Sequence, residues 1–244
     1  MFINKTTVLA SALLVATTAP FSVHAEQREV SGEFTPYLWL AGLAGDATVA
    51  GNDVDVDYGC SDLYDLTDFA LSALGVVQYG QIVVWAQMDY MDLSSDGADN
   101  PPPNAELESE TTITTLAVGY QFKGNKGKTY DVLVGMRNFS MDNTLTVDGV
   151  GKFKKDFDIN DSVLVFRPSL PINDKWRFNP TISYGSGDSE ATYELWPQFQ
   201  YKVSDKIAVR LGYRTLHYEI EGKNGNKWDG GQAGLVIGVG GMWY

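Results

Sequence analysis

Residues 207–214, IAVRLGYR, place Ile207, Val209, Leu211 and Tyr213 in one phase and Ala208, Arg210, Gly212 and Arg214 in the other. A period of two belongs to a β-strand with two unlike faces, not to a helix. The pattern recurs. Over 175–185, Trp176, Phe178, Pro180, Ile182 and Tyr184 oppose Lys175, Arg177, Asn179, Thr181 and Ser183. Over 191–203, Tyr193, Leu195, Pro197, Phe199, Tyr201 and Val203 oppose Thr192, Glu194, Trp196, Gln198, Gln200 and Lys202. Two architectures accept such strands. A soluble sandwich turns the apolar face inward and the arginines out, whereas a membrane barrel exchanges the two.

The connections separate these architectures. Long, mostly acidic segments at 45–68, 94–110, 148–156, 185–190 and 221–231 alternate with short ones at 79–81, 123–128, 172–175 and 204–206. Long loops on one side and tight turns on the other are the layout of an outer-membrane barrel with its turns in the periplasm. Aromatic residues near the ends of the apolar runs (Tyr79, Tyr90, Tyr120, Phe122, Tyr130, Trp176, Tyr184, Tyr193, Tyr201) suit the two headgroup layers. The connections delimit strands at 33–44, 67–79, 81–93, 110–122, 129–147, 157–171, 175–185, 190–203, 205–219 and 231–243. The expected fold is all-β: a closed antiparallel transmembrane β-barrel of about ten strands, with short periplasmic turns and long acidic outer loops. An extra hairpin within 46–59 would make the count twelve, and a mispaired end would make it eight. Pro180 and Pro197, in apolar phases, are expected to mark bulges or kinks.

Residues 1–25 read as a signal peptide: Lys5, an apolar run interrupted by Pro20, and a small-residue cleavage site ending at Ala25. The run is shorter than the roughly 20 residues of a helical span. The barrel domain is then 26–244, exported and placed in the outer membrane. With 31 acidic against 18 basic residues and a net charge of −13, the chain is a poor nucleic-acid binder. Cys60 is the only cysteine, which excludes an internal disulfide framework.

Three stretches resemble a broad group of small, porin-like Gram-negative outer-membrane β-barrels. They are FTPYLWLAGLAG at 34–45, LGYRTLHYEI at 211–220, and a final strand ending in an aromatic residue. The resemblance implies location in the outer membrane, assembly by the outer-membrane insertion machinery, and little chemistry. One departure stands out. Leu235, Ile237, Val239 and Trp243 share the apolar phase, whereas the terminal Tyr244 falls in the other. Either Trp243 is the terminal aromatic signal, or a bulge at Gly240–Gly241 shifts the register.

Candidate functional groups follow from the inward phases, which collect Arg137, Arg167, Arg177, Arg210 and Arg214 with Asp89, Asp131 and Glu194. Counting up from the turns sets Arg137, Arg214, Asp89 and Glu194 at similar heights. Such charges either pair into a plug that fills a narrow barrel or line a small pore for anionic solutes. Pairing of Arg137, Arg210 and Arg214 with Asp89 or Glu194 is the expectation. His217, near Glu219 and Glu221 at the outer end of its strand, is the candidate for an alternative that resemblance to lipid A-modifying outer-membrane barrels implies, with Ser186 and Ser189 as neighbouring hydroxyls. A third reading is a surface binding protein that uses the acidic outer loops. There Asp53, Asp55 and Asp57 offer at most a weak Ca²⁺ perch, since they lack the glycine and twelve-residue spacing of a calcium loop. NPPPN at 100–104 is a stiff loop segment. No cofactor is expected. The partners expected are outer-membrane lipids and lipopolysaccharide.

Overall fold

The computed structural model describes residues 30–49, 51–96, 105–147, 151–222 and 225–244. The signal segment expected at 1–25 and the NPPPN segment lie outside the described residues. Thirteen β-segments and one short helix follow in the order β1 (Val30–Val49), β2 (Asn52–Tyr58), α1 (Cys60–Leu66), β3 (Thr67–Tyr79), β4 (Ile82–Asp96), β5 (Ala105–Lys123), β6 (Thr129–Val147), β7 (Gly151–Pro171), β8 (Trp176–Phe178), β9 (Thr181–Gly187), β10 (Ala191–Trp196), β11 (Gln198–Lys202), β12 (Ile207–Glu221) and β13 (Lys227–Trp243). Each wall strand pairs antiparallel with the next, and β13 returns to pair with β1, closing the sheet into a ring. With β8 and β9 forming one wall strand and β10 and β11 another, the ring has about ten strands. No helix among the described residues is long and apolar enough to cross a membrane.

The two interrupted strands are explained by their prolines. Pro180 and Pro197 have no N–H to give to a ladder. They are not bulges, because the register is the same on both sides. Leu170↔Phe178 and Phe166↔Ile182 belong to one alignment of β7 with β8 and β9, and Gln198↔Gly212 and Leu195↔Thr215 to one alignment with β12. The Pro197 carbonyl still accepts from the Tyr213 N–H at 3.1 Å. The last strand is equally regular. β13 pairs without a shift from Lys227 to Gly241 on β12 and to Trp243 on β1, so Gly240–Gly241 makes no bulge and Trp243 ends the apolar phase.

The periplasmic connections are tight. Gly80 takes φ +62° between β3 and β4, the left-handed geometry that primed hairpin turns require. Between β11 and β12, Lys202 donates to Asp205 at 2.6 Å, which holds the Asp205 carboxyl below its usual range. On the outer side the strands run further than their composition alone indicates. Residues 105–110 and 151–156, read from sequence as loop, extend β5 and β7 on either side of β6, with Lys152 reaching Glu108 at 3.5 Å. These charged stretches continue the ladder with Thr144 and Thr146 of β6 between them, and the Lys152–Glu108 pair spans β6 from one side to the other. Residues 52–58 do form the extra hairpin, pairing with β1 from Leu43 to Val49. That hairpin stands off the ring, so the strand count is unchanged.

The faces divide as the alternation requires. Along β12, Leu211 is 51% exposed and Arg210 only 3%. Leu116, Val118, Val134, Met136, Leu164, Ile182, Leu195, Ile237 and Val239 are likewise exposed and form an outward apolar belt around the cylinder. The buried apolar cluster lies inside it, built from inward residues such as Leu74, Val83, Trp85, Leu133, Val165, Trp196 and Val236. Ten strands leave room for little more than their own side chains, and these fill it.

Because Leu211 sits near the middle of the belt, Leu211→Arg is expected to cost about 2–4 kcal/mol of folding free energy in phospholipid vesicles. Urea unfolding followed by tryptophan fluorescence measures this. Ser204→Arg in the periplasmic turn should change stability by no more than about 0.5 kcal/mol.

Candidate functional site

The luminal side chains form two polar levels separated by an apolar layer. The middle level is built from β1, β4, β5, β6, β9, β10 and β12. Glu194 lies at its centre: Oε2 accepts from Arg137 Nη2 and Oε1 from Arg214 Nε, each at 2.6 Å. Arg214 Nη1 also donates to Asp89 Oδ2 at 2.7 Å, and the Tyr37 hydroxyl donates to the other oxygen of Asp89 at 2.7 Å. Arg137 spends its remaining donors on Thr115, Thr192 and Ser183 at 2.9–3.1 Å. The Gln87 amide faces the same group, and with its oxygen turned to Arg214 it accepts from Nη2 at 2.9 Å. Arg214 is sandwiched as well, 4.1 Å over the Trp39 ring and 5.6 Å from Trp196. Two guanidiniums and two carboxylates balance in charge, and the side chains of Arg137, Arg214 and Glu194 have no exposed surface. Burying such ions costs several kcal/mol each, so the cluster stands only because nearly every donor and acceptor is engaged.

The lower level faces the periplasm. Arg210 forms a two-pronged pair with Glu33, Nε to Oε1 at 2.7 Å and Nη2 to Oε2 at 2.6 Å, and donates to Gln198 at 2.7 Å. Arg167 reaches Asp131 at 3.5 Å while lying 5.5 Å over the Trp85 ring. Arg177 donates to Ser169 Oγ at 2.9 Å. These groups line a cavity of about 320 Å³ with three arginines against two carboxylates. The buried rings of Trp85 and Trp196 lie between this vestibule and the Glu194 cluster.

Every arginine and carboxylate assigned to the interior from sequence therefore does point inward, and Arg137, Arg214, Asp89 and Glu194 meet at one height. Arg210 departs from the expected pairing. Its carboxylate is Glu33, not Asp89 or Glu194, because the stagger of the strands brings the first turn of β1 to its level. Sequence reading passed over Glu33, although it shares the phase of Thr35, Tyr37 and Trp39 at the start of β1. That phase was the available signal.

The outer rim arranges its groups differently from the sequence expectation. His217 Nε2 lies 2.7 Å from Asp229 Oδ1, with Tyr193 stacked on the ring at 4.6 Å between centroids. Of its expected acidic neighbours, Glu221 pairs with Lys227 instead. The Ser189 hydroxyl is committed to Asp161 at 2.6 Å, and no hydrogen bond joins Ser186 or Ser189 to His217. Asp53, Asp55 and Asp57 lie along β2, where residues two apart are roughly 7 Å from each other. The outer two, Asp53 and Asp57, are therefore roughly 14 Å apart along the strand, so the three do not converge on one ion. Among the described residues no group of three His, Cys, Asp or Glu side chains could hold a metal ion. Asp53 accepts from the Thr48 hydroxyl at 2.8 Å instead.

Neither a protein-family model nor a curated protein matches the chain. Among solved structures, the outer-membrane protease OmpT of Escherichia coli superimposes with a TM-score of 0.50 at 10% identity, over 91% of this chain and 99% of that one. The translocator domain of the autotransporter NalP of Neisseria meningitidis gives 0.46 at 11% identity, over 89% and 90%. The transport unit of the Escherichia coli autotransporter AIDA-I gives 0.44 at 10% identity, over 92% and 93%. At this identity the likeness concerns architecture alone, and that architecture is the outer-membrane β-barrel of Gram-negative bacteria.

Removing the shared carboxylate leaves Arg137 with no anionic partner. Glu194→Gln is therefore expected to lose about 3–5 kcal/mol in urea unfolding. Glu221→Gln, which breaks an exposed pair with Lys227, should lose no more than about 1 kcal/mol.

Proposed function

We propose that this barrel is sealed along its axis and serves as a rigid, non-enzymatic wall component of the outer membrane, presenting its acidic rim and the projecting β5–β7 sheet to the exterior. The observation that carries this reading is the Glu194 cluster stacked on Trp85 and Trp196, which fills the cross-section with paired ions and aromatic rings. An open anion pore needs arginines that face water, and the three most buried ones here, Arg137, Arg210 and Arg214, are all neutralised by carboxylates. The partners on this reading are the surrounding lipids, with lipopolysaccharide around the outer rim, after assembly by the insertion machinery. The fold by itself selects no activity, so the argument rests on the filled lumen.

Planar-bilayer recording tests it. The folded wild-type protein is expected to show no steady conductance at any voltage the bilayer survives. A persistent anion-selective current whose preference reverses in Arg210→Glu would overturn the sealed-axis reading.

A further inference from the structure

β1 changes partner partway up the wall. Its edge toward β3 is laddered over Val30–Tyr37, against Ser72–Tyr79, and from Leu43 upward the same edge is laddered to β2. Between these spans, Leu38–Gly42 have a strand partner only on the β13 side, and Thr67 and Phe69–Leu71 of β3 have one only on β4, with a register shift at Asp68. A cavity of about 300 Å³ occupies the gap. Consecutive residues of a strand point to opposite faces. A space that touches Tyr37 and Trp39 on the inner face and Leu38 and Leu40 on the outer face therefore passes through the wall.

The helix α1 forms one lip of this seam. Leu63 is buried in it while Tyr64 is 72% exposed, and the Thr67 hydroxyl ties the helix to the start of β3 by donating to the Leu63 carbonyl at 2.6 Å. Gly42 lets the turn before the helix approach β1, since a Cβ there would sit 2.8 Å from the Tyr58 carbonyl oxygen. The mouth is apolar and continuous with the lipid-facing belt: Leu38 is 59% and Phe69 54% exposed. It opens toward the outer side: the stagger that sets Arg210 beside Glu33 and Arg214 beside Tyr37 places Leu40, three residues further along β1, above the Glu194 level. At the back, Asp89 is already engaged by Arg214 and Tyr37, and Ser72, Thr111 and Gln232 add polar spots to a lining otherwise formed by the rings, Leu63 and Ile113.

We propose that this seam is a lateral binding site for the alkyl chain of an outer-leaflet lipid. The continuity of its mouth with the belt fixes the occupant, since whatever enters comes from hydrocarbon. The size agrees. The cavity is about twice the roughly 150 Å³ that holds a benzene in an apolar protein interior, and it lies at the low end of the ~300–1,000 Å³ range of small-molecule pockets. The site is independent of the sealed axis, since its entrance is through the side.

The test uses the full mature chain in phosphatidylcholine vesicles doped with a phosphatidylcholine that carries a diazirine on one acyl chain. After irradiation, adducts are mapped by peptide mass spectrometry. Adducts are expected on the inward-facing Trp39 and Ile113 in addition to outward residues such as Leu116 and Ile237. Ala41→Phe, which fills the seam from its inner side, should reduce the inward adducts to background and leave the outward ones unchanged. A wild-type map confined to outward residues overturns the proposal. Heat-modifiable gel mobility reports whether Ala41→Phe folds; if it does not, the wild-type map alone decides. Conductance is a separate readout, so failure here and failure of the sealed axis are distinguishable.

Discussion

The shared carboxylate of Glu194 is the interaction that the rest of the interior depends on. In a ring of two-faced strands, placing the apolar phase against hydrocarbon forces the other phase into a space that ten strands leave narrow. Arg137 and Arg214 then cannot reach bulk water, and an unpaired guanidinium there would be prohibitive. Glu194 neutralises both, with Asp89 completing the charge balance. The partners come from seven wall strands, so the cluster also constrains register. A slip of one residue on β4, β6, β10 or β12 would turn a charged contributor to the lipid side and leave its partner in the lumen unpaired.

What the sequence made legible was whatever period two controls. It gave the two faces, the inward arginines, the strand count and the alternation of turn and loop, because each depends only on neighbours along one strand. Heights between strands depend on the stagger of the barrel, which no single strand encodes. That is why Arg137, Arg214, Asp89 and Glu194 could be grouped by counting from the turns, while the Arg210–Glu33 pair could not. The ends of strands were misjudged for a related reason. Residues 105–110 and 151–156 are too charged to look like strand, yet they ladder on both sides of β6, where Thr144 and Thr146 face them and Lys152 reaches across to Glu108. The prolines show the converse. Pro180 and Pro197 look disruptive in isolation, but a wall strand held in register on both sides tolerates a missing donor.

The two ends of the cylinder differ in chemistry. The periplasmic vestibule holds Arg167, Arg177 and Arg210 against Glu33 and Asp131, whereas the rim and loops carry most of the excess acid. Between them lie the tryptophan layer and the Glu194 cluster, whose two guanidiniums and two carboxylates balance.

The luminal ion cluster and the lateral seam meet at Tyr37. It is the last residue of β1 that ladders to β3, its hydroxyl donates to Asp89, and its ring packs 5.3 Å from Trp196. Above it, the connection from β1 to β3 is occupied by a hairpin strand and a helical turn, and Leu63 is buried where β3 would otherwise close against β1. The wall opens there because α1 occupies the place of a ladder, and it opens no further down because Tyr37 is fastened to the luminal ions. A seam bounded below by a buried hydrogen bond and above by a second hairpin has a fixed size, which is the condition for a binding site as opposed to a frayed edge.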